Sequence, residues 1–412
     1  MKVAVPAETL PGERRVAVTP ETVAQMVAAG LDVSVQAGAG RQCSIPDAAY
    51  SAAGAEVVRA VDAEAVDVLL HVRPLHPKLP GRLRPGTITI GLGSPSTQTS
   101  TVRALVEARV TSFALELVPR ISRAQSMDAL TSQALVAGYR SVIEASVRLP
   151  RFFPLYMTAA GTVPPASVLV LGAGVAGLQA IATAKRLGAR VSAYDVRPAS
   201  ADEVRSMGGT FVDLDLESIE GTGGYAREMS QDRAVRQQQL LAPHVAAADV
   251  LITTAAIPGR SAPRLVSTEM VAAMKPGSVV VDLAAESGGN VEGSVPGEDV
   301  AVPVRPAEGA LDDPDGTVTL VGLKDAASSM PVDASRLYAK NVVNLLMLMT
   351  ADGQVVPDFS DEVVAGSCLT HDGTVQHAPT AELLGTSLAT ESPATEASAT
   401  EPVPQPTEEA GS

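Results

Sequence analysis

The stretch from Ser167 to Gly177, Ser-Val-Leu-Val-Leu-Gly-Ala-Gly-Val-Ala-Gly, restricts what this chain can fold into more than any other. Val168 to Leu171 is short, apolar and rich in β-branched residues, as a parallel strand buried on both faces should be. The turn Gly172-Ala173-Gly174-Val175-Ala176-Gly177 follows at once, then a helical segment from Leu178 to Leu187 closed by Gly188. A second strand, Arg190 to Tyr194, delivers Asp195 at its end, about 20 residues beyond the turn. Each part has a task in holding a dinucleotide. Gly172 permits the tight turn, Gly174 lets the backbone approach a pyrophosphate, and Gly177 lets helix and strand pack closely. Val175 opens the helix, whose unpaired N–H groups and positive dipole end face that pyrophosphate. Asp195 would bind a free ribose 2′-hydroxyl and repel a 2′-phosphate, which favours NAD over NADP. Val196 and Arg197 complete this group. Arg197 reads either as a solvated charge or as a cation able to meet a phosphate.

The 412 residues allow two domains or three, and a hydrophobic fraction of 46% supports sizeable cores. A net charge of −15 argues against nucleic acid, and no polybasic patch addresses acidic lipid. The two cysteines, Cys43 and Cys368, make neither a disulfide framework nor a metal site, and the five histidines show no metal-binding spacing, so no metal is expected. No apolar run approaches the roughly 18 residues needed to span a bilayer, and the first residues do not read as a signal peptide.

Before the glycine turn, strands are expected at Lys2–Val5, Leu31–Val35, Asp67–His71, Thr87–Ile90 and Val110–Ala114, with helices between them. A long helix from Met127 to Arg148, stopped by Pro150, reads as a bridge to a second set. That set continues through Phe211–Leu214, Val250–Thr254, Val279–Leu283 and Thr317–Val321. The fold class is therefore α/β, with two Rossmann-like, doubly wound parallel-sheet domains joined by a long helix and a cleft between them. The expected divisions are 1–135 for the first domain, 136–325 for the dinucleotide-binding domain, and 326–380 for a segment returning to the first. Residues 381–412, rich in Ala, Ser, Thr, Glu and Pro, read as a disordered tail. Gly-Thr-Gly-Gly-Tyr, ending in Tyr225, reads equally as a surface loop or as a lid over a ligand.

Arg120-Ile-Ser-Arg-Ala-Gln-Ser-Met-Asp128 follows the fifth strand at its carboxyl end, where open α/β sheets place their sites. Taken singly, these residues read as helix capping, with Ser126 or Asp128 starting the bridge. As a group they also suit a nicotinamide: Gln125 for the carboxamide, Arg120 for a phosphate or carboxylate, Asp128 to lock an arginine.

This segment, with Ala137-Gly-Tyr-Arg140 after it, resembles the NAD(H)-binding component of proton-translocating NAD(P) transhydrogenases. Thr158-Ala-Ala-Gly-Thr-Val-Pro-Pro165, Gly223-Gly-Tyr-Ala226, Thr253-Thr-Ala-Ala-Ile-Pro-Gly259 and Val281-Asp-Leu-Ala-Ala-Glu-Ser-Gly-Gly-Asn290 extend the resemblance over roughly residues 1 to 380. Glu13-Arg-Arg-Val-Ala-Val-Thr-Pro20 echoes alanine dehydrogenase, a fold relative. The resemblance implies NAD(H) in the cleft and roles for Arg120, Gln125, Asp128 and Thr131 around the nicotinamide; Thr131 stands where the family usually has serine. It implies Ala255 at the cofactor, Tyr225 closing over it, and a homodimer. It further implies the split form of the enzyme. Separate membrane-embedded and NADP(H)-binding subunits would then complete proton-coupled hydride transfer, with this chain on the cytoplasmic face of the membrane and without a span of its own.

Two rival readings remain. An alanine dehydrogenase would use Arg15 for its substrate, but Gly91-Leu92-Gly93 supplies no histidine and Glu286 replaces an aspartate. A non-catalytic NAD sensor would have little need of the Arg120 to Asp128 group.

Overall fold

The structure, a computed structural model, describes residues 1–214, 231–257, 259–305 and 316–386. Two sheets organise them. In the first, β1 (Lys2–Val5), β2 (Asp32–Gln36), β3 (Glu56–Val58), β4 (Val68–Leu70), β5 (Ile88–Gly91) and β6 (Thr111–Ala114) run parallel. A pair from the C-terminal region, β18 (Cys368–His371) and β19 (Thr374–Val375), adds antiparallel to β6, giving the order β19-β18-β6-β5-β4-β1-β2-β3. The second contains β9 (Ser167–Leu171), β10 (Arg190–Tyr194), β11 (Thr210–Phe211), β12 (Val250–Thr253), β13 (Val279–Asp282), β14 (Asp299–Pro303) and β15 (Thr317–Gly322). Its order is β11-β10-β9-β12-β13-β15-β14, parallel except for β14 at the edge.

The apolar runs are explained by helices on both faces. Along β9, Val168 and Val170 point to one side, where Val142 and Ala145 of the bridging helix and Ala180, Ile181 and Ala184 of the fingerprint helix (Val175–Arg186) cover them. Leu169 and Leu171, one residue out of phase, join Leu241, Val245 and Val271 on the other side. In the first sheet, Val3, Val5, Val35 and Ile90 pack with Tyr338, Val342, Val343 and Leu346 of the return helix, Pro331–Leu348. The chain thus comes back to its first sheet after building the second.

The bridging helix spans Ala129–Arg148, with Asp128 as its N-cap: the carboxylate accepts from the Thr131 amide at 2.8 Å. The start lies two residues later than expected because residues Ser122–Met127 coil as a tighter 3₁₀ turn. Expected strands are trimmed where their partners end. Val212 and Leu214 are buried but lie beyond the two-residue β11. The last expected strand shrinks to β19, and a short helix, Ala378–Leu384, follows. Its buried Thr380, Ala381 and Leu384 correct the expectation that disorder begins at residue 381.

Two small hairpins pair with neither sheet: β7 (Tyr156–Thr158) with β8 (Gly161–Val163), and β16 (Thr350–Ala351) with β17 (Gln354–Val355). Among the described residues no helix is long and apolar enough to cross a membrane.

Candidate functional site

The glycine turn has the geometry its spacing requires. Gly172 lies at φ +99°, and the Thr254 hydroxyl donates to its carbonyl at 2.9 Å. A Cβ at Gly177 would overlap that same carbonyl, so only glycine lets the fingerprint helix leave so close to β9. Gly174 is the helix N-cap; it has no capping side chain, and a Cβ there would meet nothing. Together with the exposed Val175 it leaves an open cradle at the positive end of a 12-residue helix.

Asp195 closes the turn from the next strand. One oxygen accepts from the Ala173 amide at 2.7 Å, the other from the Arg197 amide and Nε, both at 2.9 Å. Arg197 is therefore salt-bridged to Asp195, which raises the guanidinium pKa, and its reading as a simple solvated charge is corrected. Val196 packs against the core beneath. From the neighbouring β12, Ala255 is held by Asn290: its amide donates to Oδ1 at 3.0 Å and its carbonyl accepts from Nδ2 at 2.8 Å. Asn290 also donates to the Pro263 carbonyl, so the loops after β12 and β13 are braced against each other. The turn, Asp195–Arg197 and Ala255 thus converge at the carboxyl ends of β9, β10 and β12. An acceptor for ribose hydroxyls and an open helix N-terminus for a pyrophosphate are the donor set that a dinucleotide needs.

The Arg120 to Asp128 group stands at the corresponding edge of the first sheet, after β6. Arg120 and Gln125 are exposed, and Asp128 is half-buried. Asp128 accepts from both the amide and the hydroxyl of Thr131, the latter at 2.6 Å. The capping reading of Asp128 is therefore realised, and the threonine hydroxyl serves the carboxylate. Arg123 is tied to Asp361 and Glu362 in the C-terminal region. The Ser126 carbonyl accepts from Asn341 and Asn344 of the return helix. The bridging helix links this edge to the glycine turn. At Gly138, ten residues or roughly 15 Å along the axis from Asp128, it meets the Ala176 backbone so closely that a Cβ would overlap it. Tyr225 lies outside the described residues.

A buried polar network that the sequence did not announce lies under the cleft. Glu13 accepts from Arg15 and from Arg73, Arg15 donates onward to Gln133 of the bridging helix at 2.8 Å, and Arg73 pairs with Asp325. Burial would raise the Glu13 pKa, but Arg15 and Arg73 hold it down at about 2. Glu8 lacks such a partner, and burial with the nearby Glu13 pushes it up to about 7. The Tyr338 hydroxyl donates to the His71 carbonyl, fastening the return helix here. Partners more than a hundred residues apart left no local signal; only the short Glu13-Arg-Arg15 motif hinted at them. Cys43 and Cys368 are buried thiols, and no cluster able to hold a metal occurs among the described residues.

The chain matches the alanine dehydrogenase/PNT N-terminal domain over residues 4–137 and the C-terminal domain of that name over residues 141–378. It is 44% identical to the first of the two parts of the NAD(P) transhydrogenase alpha subunit of Rhodospirillum rubrum, over 92% of this chain and 98% of that one. Alanine dehydrogenase of Mycobacterium tuberculosis is 36% identical over 72% of this chain and 76% of its own. The solved transhydrogenase of Sinorhizobium meliloti superposes with a TM-score of 0.78 at 44% identity, covering 92% of this chain and all of the other.

Proposed function

The chain belongs to the alanine dehydrogenase/PNT family, and we propose that within it this is the NAD(H)-binding alpha component of an NAD(P) transhydrogenase, exchanging hydride between NADH and NADP⁺. The observation that carries the reading is the end-to-end likeness to the Rhodospirillum rubrum transhydrogenase alpha chain, greater in both identity and extent than the likeness to alanine dehydrogenase. NADP(H) is bound by a partner subunit, and proton translocation belongs to membrane-embedded partners on whose cytoplasmic face this chain sits.

The nicotinamide, when bound, supplies or accepts a hydride at its C4. Exchange between two such rings moves no proton, so the chain's own residues have orientation and water exclusion as their work rather than acid–base catalysis. Gly172, Gly174, Val175 and Gly177 hold the pyrophosphate on the helix N-terminus. Asp195, braced by Arg197 and followed by Val196, receives the adenosine ribose, and Ala255 faces the cofactor from β12. Gln125, Arg120, Asp128 and Thr131 orient the ring from the facing edge, and Tyr225 closes over it. The absence of an acid or base at Gly91 supports this division of labour: a Cβ there would collide with His71, and the next amides, of Gly93 and Ser94, are engaged by Glu116.

The test is to mix the purified chain with a transhydrogenase NADP(H)-binding domain and follow transfer from NADH to an NADP⁺ analogue. Turnover is expected only in the mixture, with negligible NADH oxidation by pyruvate and ammonia. Vigorous alanine- or pyruvate-dependent turnover by the chain alone would restore the dehydrogenase reading.

A further inference from the structure

We propose that the end of the cleft remote from the glycine turn is a binding site for an anionic group, a phosphate or a carboxylate, received between Arg14 and Lys324. A cavity of about 310 Å³ opens where the segment following β1 meets the segment following β15; Pro11, Gly12, Arg14, Lys324, Asp325 and Ser329 line it. Arg14 and Lys324 are exposed, and neither side chain has an ion pair or hydrogen bond among the described residues. Their neighbours differ sharply. Arg15 and Arg73 are both committed to Glu13, and Arg73 also neutralises Asp325, the single carboxylate lining the cavity. The nearby Glu286 carboxylate accepts the Asp325 amide and does not line the space. In a chain with 46 acidic and 31 basic residues, two adjacent uncommitted cations over one cavity leave a local positive charge that only an outside anion can answer.

The backbone beneath them is fixed although their heads are not. Gly12, at φ +88°, presses on Asp325 so closely that a Cβ would overlap the carboxylate. The Ser328 hydroxyl donates to the Gly12 carbonyl at 2.8 Å, and the Arg14 amide donates to that hydroxyl at 2.6 Å. Asp325, beside Lys324, is held at φ +48°, a costly conformation for a residue with a side chain. Both cations thus stand on pre-organised backbone, one from each sheet, which lowers the ordering cost of binding an anion between them.

Position gives the anion's source. β1 is three strands from β6, and β15 is three strands from β9, so the cavity lies roughly 14 Å along the cleft from the glycine turn and the Arg120 to Asp128 group. Resting on the function proposed above, the group is carried by the docking NADP(H)-binding domain, as a phosphate of its nucleotide or as an acidic side chain.

The test uses the full chain carrying Arg14→Gln and Lys324→Gln together. NADH affinity stays at the wild-type value. The concentration of NADP(H)-binding domain giving half-maximal transfer rises about tenfold at low salt, and the salt dependence seen with wild type flattens. Weakened binding of both the nucleotide-free and the NADP⁺-loaded domain assigns a side-chain carboxylate; weakening of the loaded domain alone assigns a nucleotide phosphate. An unchanged half-saturation beside an active wild type overturns the anion site. A wild type that transfers to no partner overturns the proposed function instead. In that event, calorimetry of inorganic pyrophosphate against the NADH-saturated chain decides the anion site: binding lost in the double variant supports it, and equal behaviour of the two proteins rejects it.

Discussion

At the scale of the residue, Asp195 shows how one carboxylate serves two purposes. It carries no general acid or base duty, yet both oxygens are engaged, one by the Ala173 amide inside the glycine turn and one by Arg197. Its replacement therefore removes an acceptor for ribose hydroxyls and a brace of the turn together. Asp195→Ala is expected to weaken NADH binding by about 1–3 kcal/mol, the range for hydrogen bonds to a charged group. It also releases the Arg197 guanidinium from its carboxylate, which suits a 2′-phosphate, so NADPH should lose less and the gap between the two cofactors should narrow. Calorimetry with both nucleotides checks this. Wild type binding NADPH as tightly as NADH would defeat the cofactor assignment.

At the scale of the element, central strands were legible and edges were not. β9, β12 and β13 are covered on both faces, so their sequences are unbroken apolar runs that no alternative structure explains as well. β3, β14 and β19 are short and half exposed; their composition merges with that of loops, and only pairing with a neighbour makes them strands. The hairpin residues Thr158 to Val163 were noticed as a motif without being read as strands. Around the site, the turn, its helix and Asp195 were readable because a contiguous stretch fixes their geometry. The Glu13–Arg15–Gln133 connection was not, because long-range packing alone creates it. Gly138 lies between these cases. Within a helix its glycine reads as a weakness, but its contact with the Ala176 backbone makes it the crossing point of the bridging and fingerprint helices. Gly138→Ala must push those helices apart, at a cost of about 1–3 kcal/mol by overpacking. Because Ala176 belongs to the first turn of the fingerprint helix, thermal stability and NADH affinity should fall together. A melting curve and an NADH titration unchanged from wild type would show that the crossing is slack.

At the scale of the whole molecule, the two sheets account for each other's burial, but they leave one side unfinished. The β7–β8 hairpin pairs with neither sheet, and an isolated two-stranded hairpin is marginal in water. Met157 is 78% exposed, and Phe152, Leu155 and Tyr156 beside it are also exposed, with Phe152 and Tyr156 in edge-to-face contact at 4.7 Å. The bridging helix adds Leu135, Tyr139 and Val147, exposed at spacings of four and eight residues and therefore on one face. Apolar surface gathered in this way marks an interface rather than a monomer's skin. A second copy of the chain is the simplest occupant, since a two-fold contact lets each hairpin cover the other protomer's apolar side chains. Tyr156→Ser with Met157→Glu places a charge and a polar group there while touching neither core nor cleft. Sedimentation should then report one chain where wild type reports two, with NADH affinity retained, because the glycine turn and Asp195 draw on none of these residues. A wild type that sediments as a single chain at micromolar concentration would reject the homodimer and leave the hairpin to a different partner subunit.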